Sequence, residues 1–268
     1  MKKYGVLMPA RDEEENIRRA LNSLLNQTVK PLIITVLDDS SSDRTGEVAK
    51  ELGAHIIRVE REGKGSMAGR PYMARLLNRG LKVIERHDLS YLMISGADCI
   101  YPPRYVEELV NRMVRKGQVI ASGVARGEVT GEYGIRGTGR IINVGWFKNL
   151  GFKFPENYGF EAWLVYRALK EGRDVGVYQD LKFTLLRKTR LGPEKVYRWG
   201  KAMRAMNYWW PYALGRCMIL FFKSPMSGFS MLRGYMSNVK RYDDIAEFVP
   251  EFQKDLILKK LKGVLTGL

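Results

Sequence analysis

Short apolar runs alternate with stretches of helical periodicity through the first half of this chain, and this alternation limits the folds it can adopt. Between the runs, apolar residues recur at helical spacing, as Ile17, Leu21 and Leu24 do. The runs have the length of strands and lie at Tyr4 to Met8, Leu32 to Leu37, Ala54 to Val59 and Tyr91 to Ser95. Strands joined by helices need right-handed crossovers, which give a parallel sheet covered on both faces. The sequence therefore predicts an α/β fold with a mainly parallel sheet and helices on both faces.

Polar residues follow directly after the predicted strands. In open α/β sheets, ligands bind beyond the carboxyl ends of the strands. Residues at four such ends are expected to share one sheet edge: Pro9 to Asp12, Asp38 and Asp39, Arg61 to Lys64, and Asp98. The pattern predicts a site that combines acidic with basic groups.

Several chemistries are disfavoured by what the chain contains. It has two cysteines and two histidines among 268 residues, so a disulfide framework, a four-ligand zinc site and histidine-based nucleophilic catalysis lose most of their support. No G-x-G-x-x-G follows the first strand, and Gly63 to Ser66 lacks the spacing of a Walker A loop. Dinucleotide oxidoreductases and P-loop nucleotide hydrolases are therefore not expected.

The basic excess of the chain lies mostly in its C-terminal part. The formal net charge is +16, and the residues from Leu185 onward hold 16 Lys and Arg against 6 Asp and Glu, interleaved with aromatic residues. The longest uninterrupted apolar run there, Cys217 to Phe222, is far shorter than the roughly 20 residues of a membrane span. Since the start of the chain also lacks the pattern of a secretory signal, we expect a cytoplasmic location with peripheral contact at the inner face of an anionic membrane.

Four segments, in this order, carry a specific resemblance. They read VLMPARDEEENI (6–17), VLDDSSSDRT (36–45), GAD followed by YPP (96–103), and FPENYGFEAWLVYRALKEG (154–172). Together they resemble family 2 glycosyltransferases of the GT-A fold, over roughly the first two-thirds of the chain. The resemblance implies inverting transfer of a hexosyl-type sugar from a nucleotide-diphosphate donor to an acceptor hydroxyl, in glycan, polysaccharide or glycolipid synthesis.

The resemblance also implies a set of donor-binding residues. In that family the acidic pair after the second strand holds the base and ribose, which here means Asp38 and Asp39, and a D-x-D motif carries a divalent cation on the diphosphate. Gly96 replaces the first Asp of D-x-D, so Asp98 is the one expected ligand of Mg²⁺ or Mn²⁺, and the requirement for a metal is left open. The full set of expected donor-binding residues is Pro9, Arg11, Glu13, Asp38, Asp39, Lys64, Ala97 and Asp98.

The catalytic base implied by the resemblance is Glu161. The family has a Glu-Asp pair at the start of this helix; here Phe160 takes the place of the Glu, and Glu161 that of the Asp. A carboxylate suits an inverting transfer because it can remove the proton of the attacking hydroxyl. Farther on, Lys195 to Trp199 is similar to the family's Q-x-x-R-W signature, so Arg198 is expected to neutralise the diphosphate and Trp199 to stack near the acceptor sugar.

Each of these residues also has a simpler interpretation. Asp38 and Asp39 suit a turn before a helix, and Asp98 suits a turn before Pro102. Glu161 would favour a helix N-terminus through the helix dipole. Basic and aromatic residues such as Arg198 and Trp199 are common on solvated faces and in cores, and Lys64 is either a phosphate contact or a solvent-exposed charge.

The sequence is thus interpreted as a catalytic nucleotide-sugar domain at 1–183 and a basic, aromatic helical extension at 184–268 on the acceptor side. The expected partners are a nucleotide-diphosphate sugar and a glycan, lipid-linked or small-molecule acceptor, and no nucleic acid. One alternative is a sugar nucleotidyltransferase, although the segment after the first strand is acidic rather than glycine-rich and basic. Another is a basic nucleic-acid-binding protein, which the acidic sheet edge disfavours.

Overall fold

The computed structural model describes residues 2–61, 67–187 and 192–266. The chain forms two compact units. The first comprises Met1–Gly65, Ala74–Phe154 and Glu171–Lys188, and the second comprises Ser66–Met73, Pro155–Lys170 and Thr189–Leu268. The functional division expected at residue 183 stays a prediction.

The first unit is built on a sheet whose strands lie in the spatial order β3-β2-β1-β4-β7-β6-β8-β5. The strands are β1 (Tyr4–Ala10), β2 (Ile33–Asp38), β3 (His55–Arg58), β4 (Tyr91–Ile94), β5 (Cys99–Ile100), β6 (Ile120–Ala125), β7 (Arg140–Asn143) and β8 (Val175–Leu185). The helices between them along the chain are α1 (Glu14–Leu25), α2 (Thr45–Glu51), α3 (Pro71–Ile84), α4 (Tyr105–Lys116) and α5 (Val144–Asn149). The predicted α/β fold is confirmed.

Strand pairing is parallel through the first half of the sheet and mixed in the second. β1 pairs in parallel with β2 and β4, β2 with β3, and β6 with β8. β7 runs antiparallel between β4 and β6. The strand β7 and the helix α5 are absent from our sequence interpretation. A four-residue strand directly followed by a short helix has too few residues for a hydrophobic period to be recognised.

Alternate residues of β1 face opposite layers of helices. Val6 and Met8 join the core cluster that includes Ile17, Leu21 and Leu24 of α1. On the other face, a Cβ atom at Gly80 of α3 would lie 2.2 Å from Cδ1 of Leu7, so α3 approaches the sheet at a distance that requires glycine. Helices thus cover both faces of the sheet and leave its carboxyl edge as the place where polar residues gather.

The second unit contains α6 (Phe160–Lys170), α7 (Pro193–Ala205), α8 (Trp210–Lys223), α9 (Pro225–Tyr235) and α10 (Phe248–Thr266). A small core of Val196, Met203, Ala213, Cys217 and Met231 joins α7, α8 and α9. None of the helices in the described part of the chain is long and apolar enough to cross a membrane.

Candidate functional site

The carboxyl ends of β1, β2 and β4 bring the described members of the sequence-predicted donor set to one sheet edge. The register of β1 with β2 places Ala10 opposite Asp38, and the Asp39 amide donates to the Ala10 carbonyl at 2.9 Å. Pro9 is half-buried within β1, and Ala97 is buried after β4. Lys64 lies outside the described residues.

The turn after β1 is held to the turn after β2 by side-chain hydrogen bonds. Asp12 adopts a positive φ of 50°, and its carboxylate accepts from the Ser42 amide at 2.8 Å and the Ser42 hydroxyl at 3.0 Å. The hydrogen bond from the Ser42 amide is the largest cause that lowers the pKa of Asp12 below its ordinary value. Arg11 is exposed, and its Nε lies 3.2 Å from an Asp12 oxygen. These contacts order the segment that leads into α1.

The acidic pair Asp38 and Asp39, at the end of β2, is buried and accepts hydrogen bonds from groups of the protein. Asp38 accepts from the Ser41 amide at 2.8 Å and contacts Nη1 of Arg58 at 3.3 Å. Asp39 accepts from Nη1 of Arg61 at 2.8 Å, and both of these side chains are less than a tenth exposed. The Ser41 contact is the one expected if Asp38 closes a turn. The Asp39 carboxylate instead lies beside the planar guanidinium of Arg61, an arrangement that gives a strong charge-assisted hydrogen bond. Their binding roles stay predictions.

Arg187, two residues after the end of β8, connects the ends of three strands. Its guanidinium donates to Glu13, which follows β1 and is 5% exposed, and its Nε lies 3.7 Å from an oxygen of Asp98, which follows β4. The Leu186 amide donates to the Asp98 carbonyl at 2.8 Å and holds the end of β8 against this turn. Arg187 is missing from the sequence-based residue set because it belongs to none of the four motifs.

The position of Gly96 is closely surrounded. A Cβ atom at Gly96 would lie 2.9 Å from an oxygen of Asp98 and 3.0 Å from the Cys99 sulfur, and the Gly96 amide donates to the Thr138 hydroxyl at 2.7 Å. Burial raises the pKa of the Cys99 thiol to about 11, so this cysteine stays protonated near neutral pH. The loss of the first acidic residue of D-x-D thus coincides with close packing around the turn.

The turn at Asp98 offers a single carboxylate to a divalent cation. Within the described ranges, no group of three or more His, Cys, Asp or Glu residues could enclose a metal ion. Asp98 offers one carboxylate that is 24% exposed. Mg²⁺ commonly takes one or two carboxylates and completes its shell with waters and phosphate oxygens, so a single aspartate is sufficient when the donor supplies the rest.

Glu161 lies in the first turn of α6, in the second unit, and is partly exposed. Gly159 has a φ of +75°, and a Cβ atom there would lie 2.9 Å from the Cβ of Ala202 in α7. Glycine therefore allows both the turn into α6 and the close approach of α7. Phe160, which takes the place of the family's Glu, is 2% exposed.

Asp244 is a second residue that the sequence interpretation misses. Its carboxylate accepts from Nε1 of Trp163 at 3.0 and 3.1 Å and lies 3.5 Å from Arg167, while Nζ of Lys170 donates to its carbonyl at 2.6 Å. One aspartate thus holds three successive turns of α6. It lies outside the recognised motifs, so only the tertiary contact reveals it.

Arg198 and Trp199 have different surroundings. Arg198 is 6% exposed, donates to the Ala68 carbonyl at 2.7 Å and contacts Glu194 at 2.5 Å. Trp199 is 38% exposed, with the ammonium of Lys195 5.9 Å from its ring centre. The hydrogen bond from Arg198 is the largest cause that lowers the pKa of Glu194, so the guanidinium is matched by an anion within its own unit.

Comparisons with known proteins agree with the fold and identify the family. The model of the family "Glycosyl transferase family 2" matches residues 5–172. The glycosyltransferase GlyA of Streptococcus pneumoniae is 31% identical over 124 residues, which is 45% of this chain and 16% of that protein. The matched segment is therefore about a sixth of that relative's length.

Solved structures of similar fold contain bound nucleotide sugars. S. aureus TarS 1-349 in complex with UDP-GlcNAc has a TM-score of 0.57 at 16% identity, covering 75% of this chain and 65% of TarS 1-349. The mannosyltransferase PcManGT from Pyrobaculum calidifontis, in complex with GDP-Man and Mn²⁺, has a TM-score of 0.58 at 19% identity and covers 76% of this chain and 62% of that one. Because the family model matches well over half of the residues, the chain belongs to glycosyl transferase family 2.

Proposed function

We propose that this protein transfers a sugar from a nucleotide-diphosphate donor to an acceptor hydroxyl, with inversion at the anomeric carbon. The observation that carries the proposal is the meeting of Glu13, Asp98 and Arg187 at the carboxyl edge of the sheet. This edge is where open α/β sheets bind ligands. The nucleotide sugars bound to TarS and PcManGT support the same donor class for this chain.

In this proposal the donor extends along the sheet edge. Asp38 and Asp39 bind the nucleoside, with Arg61 beside Asp39 and the Ser41 amide holding the carboxylate of Asp38 in place. Arg187 faces the diphosphate, because its side chain is 58% exposed and carries the positive charge nearest to Asp98 among the described contacts. Pro9, Arg11, Glu13 and Ala97 form the rest of the donor surface, and Lys64 is a further candidate for a phosphate contact.

A divalent cation is part of the proposal, with Asp98 as its protein ligand. Mn²⁺ bound together with a nucleotide sugar in PcManGT supports it. Such an ion would offset the negative charge that develops on the diphosphate as it leaves.

Glu161 is the proposed catalytic base. Its carboxylate takes the proton of the acceptor hydroxyl as that oxygen forms a bond to the anomeric carbon. The bond from this carbon to the diphosphate oxygen breaks at the same time, and the nucleoside diphosphate leaves with the electron pair. Attack opposite the leaving group inverts the configuration, and general-base help of this kind is worth about 10²- to 10⁴-fold in rate.

The acceptor is proposed to be a glycan, a polysaccharide precursor, a lipid-linked sugar or a small molecule. Trp199 is proposed to stack on it, and Arg198 to neutralise the diphosphate. Peripheral contact with an anionic membrane at its cytoplasmic face also belongs to the proposal. The basic excess after Leu185 supports this contact, since each Lys or Arg near an anionic surface contributes about 1 kcal/mol.

A thermal-melting panel tests the donor class. UDP, GDP, dTDP and CDP sugars are added with and without Mn²⁺, since a ligand that binds the native state raises its melting temperature by mass action. We expect one nucleotide class to raise the melting temperature, and more so with Mn²⁺. No shift with any donor, combined with tight and salt-sensitive binding of unrelated oligonucleotides, would favour the nucleic-acid-binding alternative.

A further inference from the structure

The outer face of α8 carries large apolar side chains at four-residue spacing. Trp210, Leu214, Met218 and Phe222 are 65%, 40%, 43% and 79% exposed, and Ile219 beside them is 64% exposed. Residues four apart lie on one helix face, so these side chains form a single stripe. The opposite face of α8 supplies Ala213 and Cys217 to the core of the second unit. The helix is therefore already packed, and the stripe is apolar surface beyond what the core uses.

The start of α9 extends this stripe. Met226 is 70% exposed and Phe229 is 63% exposed. A Cβ atom at Gly228 would lie 2.6 Å from Cα of Phe221, so the two helices pack closely at this point. The ring of Phe221 lies 5.2 Å from that of Phe229 and 6.2 Å from that of Phe222, which joins the exposed rings of both helices. We call the seven exposed side chains Trp210, Leu214, Met218, Ile219, Phe222, Met226 and Phe229 the apolar face.

The charges around the apolar face identify its partner. From Lys195 to Tyr242 the sequence contains nine Lys and Arg and no Asp or Glu. Arg216, Lys223 and Arg233, on the same two helices, are exposed. A second copy of this chain would bring like charges together, whereas an anionic lipid surface offers opposite charge to the basic residues and hydrocarbon to the apolar ones.

We propose that the apolar face enters the boundary between headgroups and acyl chains of an anionic bilayer, with α8 and α9 lying along the membrane surface. Large apolar patches on a protein surface mark interaction sites, and Lys and Arg can keep their charges at headgroup level while their stems pass over apolar surface. This inference rests on the membrane contact of the proposed function but not on its glycosyl transfer. It adds that insertion of apolar side chains, rather than charge alone, holds the protein on the bilayer.

Vesicle flotation with two substitutions tests the insertion. The full chain is mixed with phosphatidylcholine vesicles that contain or lack phosphatidylglycerol, at low salt and at about 1 M salt, where charges are screened beyond roughly 3 Å. We expect the parent to bind the anionic vesicles and to stay partly bound at high salt. Phe222→Ser with Phe229→Ser should lower the partition coefficient at least about tenfold, because each exposed ring contributes transfer free energy. Leu32→Ser, at a 52% exposed leucine of the first unit, is the matched control and should not change binding.

Fluorescence quenching distinguishes insertion of the apolar face into lipid from contact of this face with another protein. Brominated phospholipids should quench part of the tryptophan emission of the parent, and Trp210→Phe should remove that part while the protein stays bound. Full release of the parent by salt, or equal binding of the parent and the Phe222/Phe229 variant, would overturn insertion and leave charge-driven membrane contact standing. Absence of binding to any vesicle would overturn the membrane contact itself, as would a dimer that the variant converts to a monomer, and in both cases donor binding measured by thermal melting would be unaffected.

Discussion

Asp98 lies 3.7 Å from the guanidinium of Arg187. Two residues earlier, where the family pattern has another aspartate, this chain has Gly96. Asp98 could be predicted from the sequence because it follows a buried strand within a motif. Arg187 could not, since its partner Glu13 lies 174 positions away and the segment that carries it matches no motif. A sequence motif identifies residues by their neighbours along the chain, and the two residues of a long-range ion pair are not neighbours.

We predict that Asp98→Asn weakens donor binding, because the neutral amide cannot balance a cation or orient Arg187 at the diphosphate. Calorimetric titration with the donor identified by melting, in the presence of Mn²⁺, measures the change. The control is Asp180→Asn, which removes a carboxylate paired with Arg112 at 2.6 Å on the exposed side of β8. Equal donor affinity in parent and Asp98→Asn would remove Asp98 from the donor site.

Glu161→Gln should slow transfer strongly while leaving donor binding nearly intact. The amide keeps the shape of the side chain but cannot accept the proton of the acceptor, so kcat and kcat/KM should fall together by about 10²- to 10⁴-fold. Glu107→Gln is the matched control, because Glu107 also lies in the first turn of a helix, α4. If Glu161→Gln keeps a near-parental kcat, Glu161 serves only the helix start.

Asp12 provides a pH-dependent contribution to stability. Its pKa is lowered in the folded protein, chiefly by the hydrogen bond from the Ser42 amide, so its stabilisation is present above the ordinary value of 3.8 and is lost as the pH falls towards the lower folded pKa. Asn tolerates the positive φ of this position, so Asp12→Asn isolates the charge. We expect the variant to melt below the parent at pH 7, with a smaller difference below pH 3.8. A difference independent of pH would contradict this.

At the scale of secondary-structure elements, the crossing of α7 and α9 depends on two glycines. A Cβ atom at Gly200 would lie 2.0 Å from the Met231 carbonyl oxygen, and one at Gly234 would lie 2.1 Å from the Tyr197 carbonyl oxygen. Both obstacles are backbone atoms, which cannot turn aside. The sequence does not predict this close crossing, because a glycine within a helix indicates only a lower helix propensity.

Gly200→Ala should therefore destabilise the protein by about 1–3 kcal/mol, as overpacking of a close contact does. Gly215→Ala in α8 is its opposite control, because no atom lies within 4 Å of a Cβ at that position. There the usual gain of alanine over glycine within a helix, about 0.5–1 kcal/mol, should appear as added stability. Denaturant unfolding measures both, and a gain in stability for both variants would show that the helices are not in close contact at Gly200.

For the whole molecule, hydrophobic periodicity is enough to predict the α/β class, because β1 to β4 and their helices follow one another along the chain. The sequence does not predict which segments make up the second unit. Segments 66–73 and 155–170 belong with the C-terminal helices, although they precede β8 in the sequence. Contacts such as the one between Asp244 and Trp163, at 3.0 Å, hold 155–170 there, and no local pattern signals them.

Proton NMR of the first sugar product shows whether transfer from a nucleotide sugar inverts the anomeric carbon. The donor identified by melting is incubated with the protein, and the anomeric configuration of the product, formed on an acceptor or on water, is recorded before mutarotation. We predict a configuration opposite to that of the donor, with product formation at least about 100-fold slower for Glu161→Gln. Retained configuration, or a donor that stays uncleaved with every acceptor class tested, would contradict the proposed reaction.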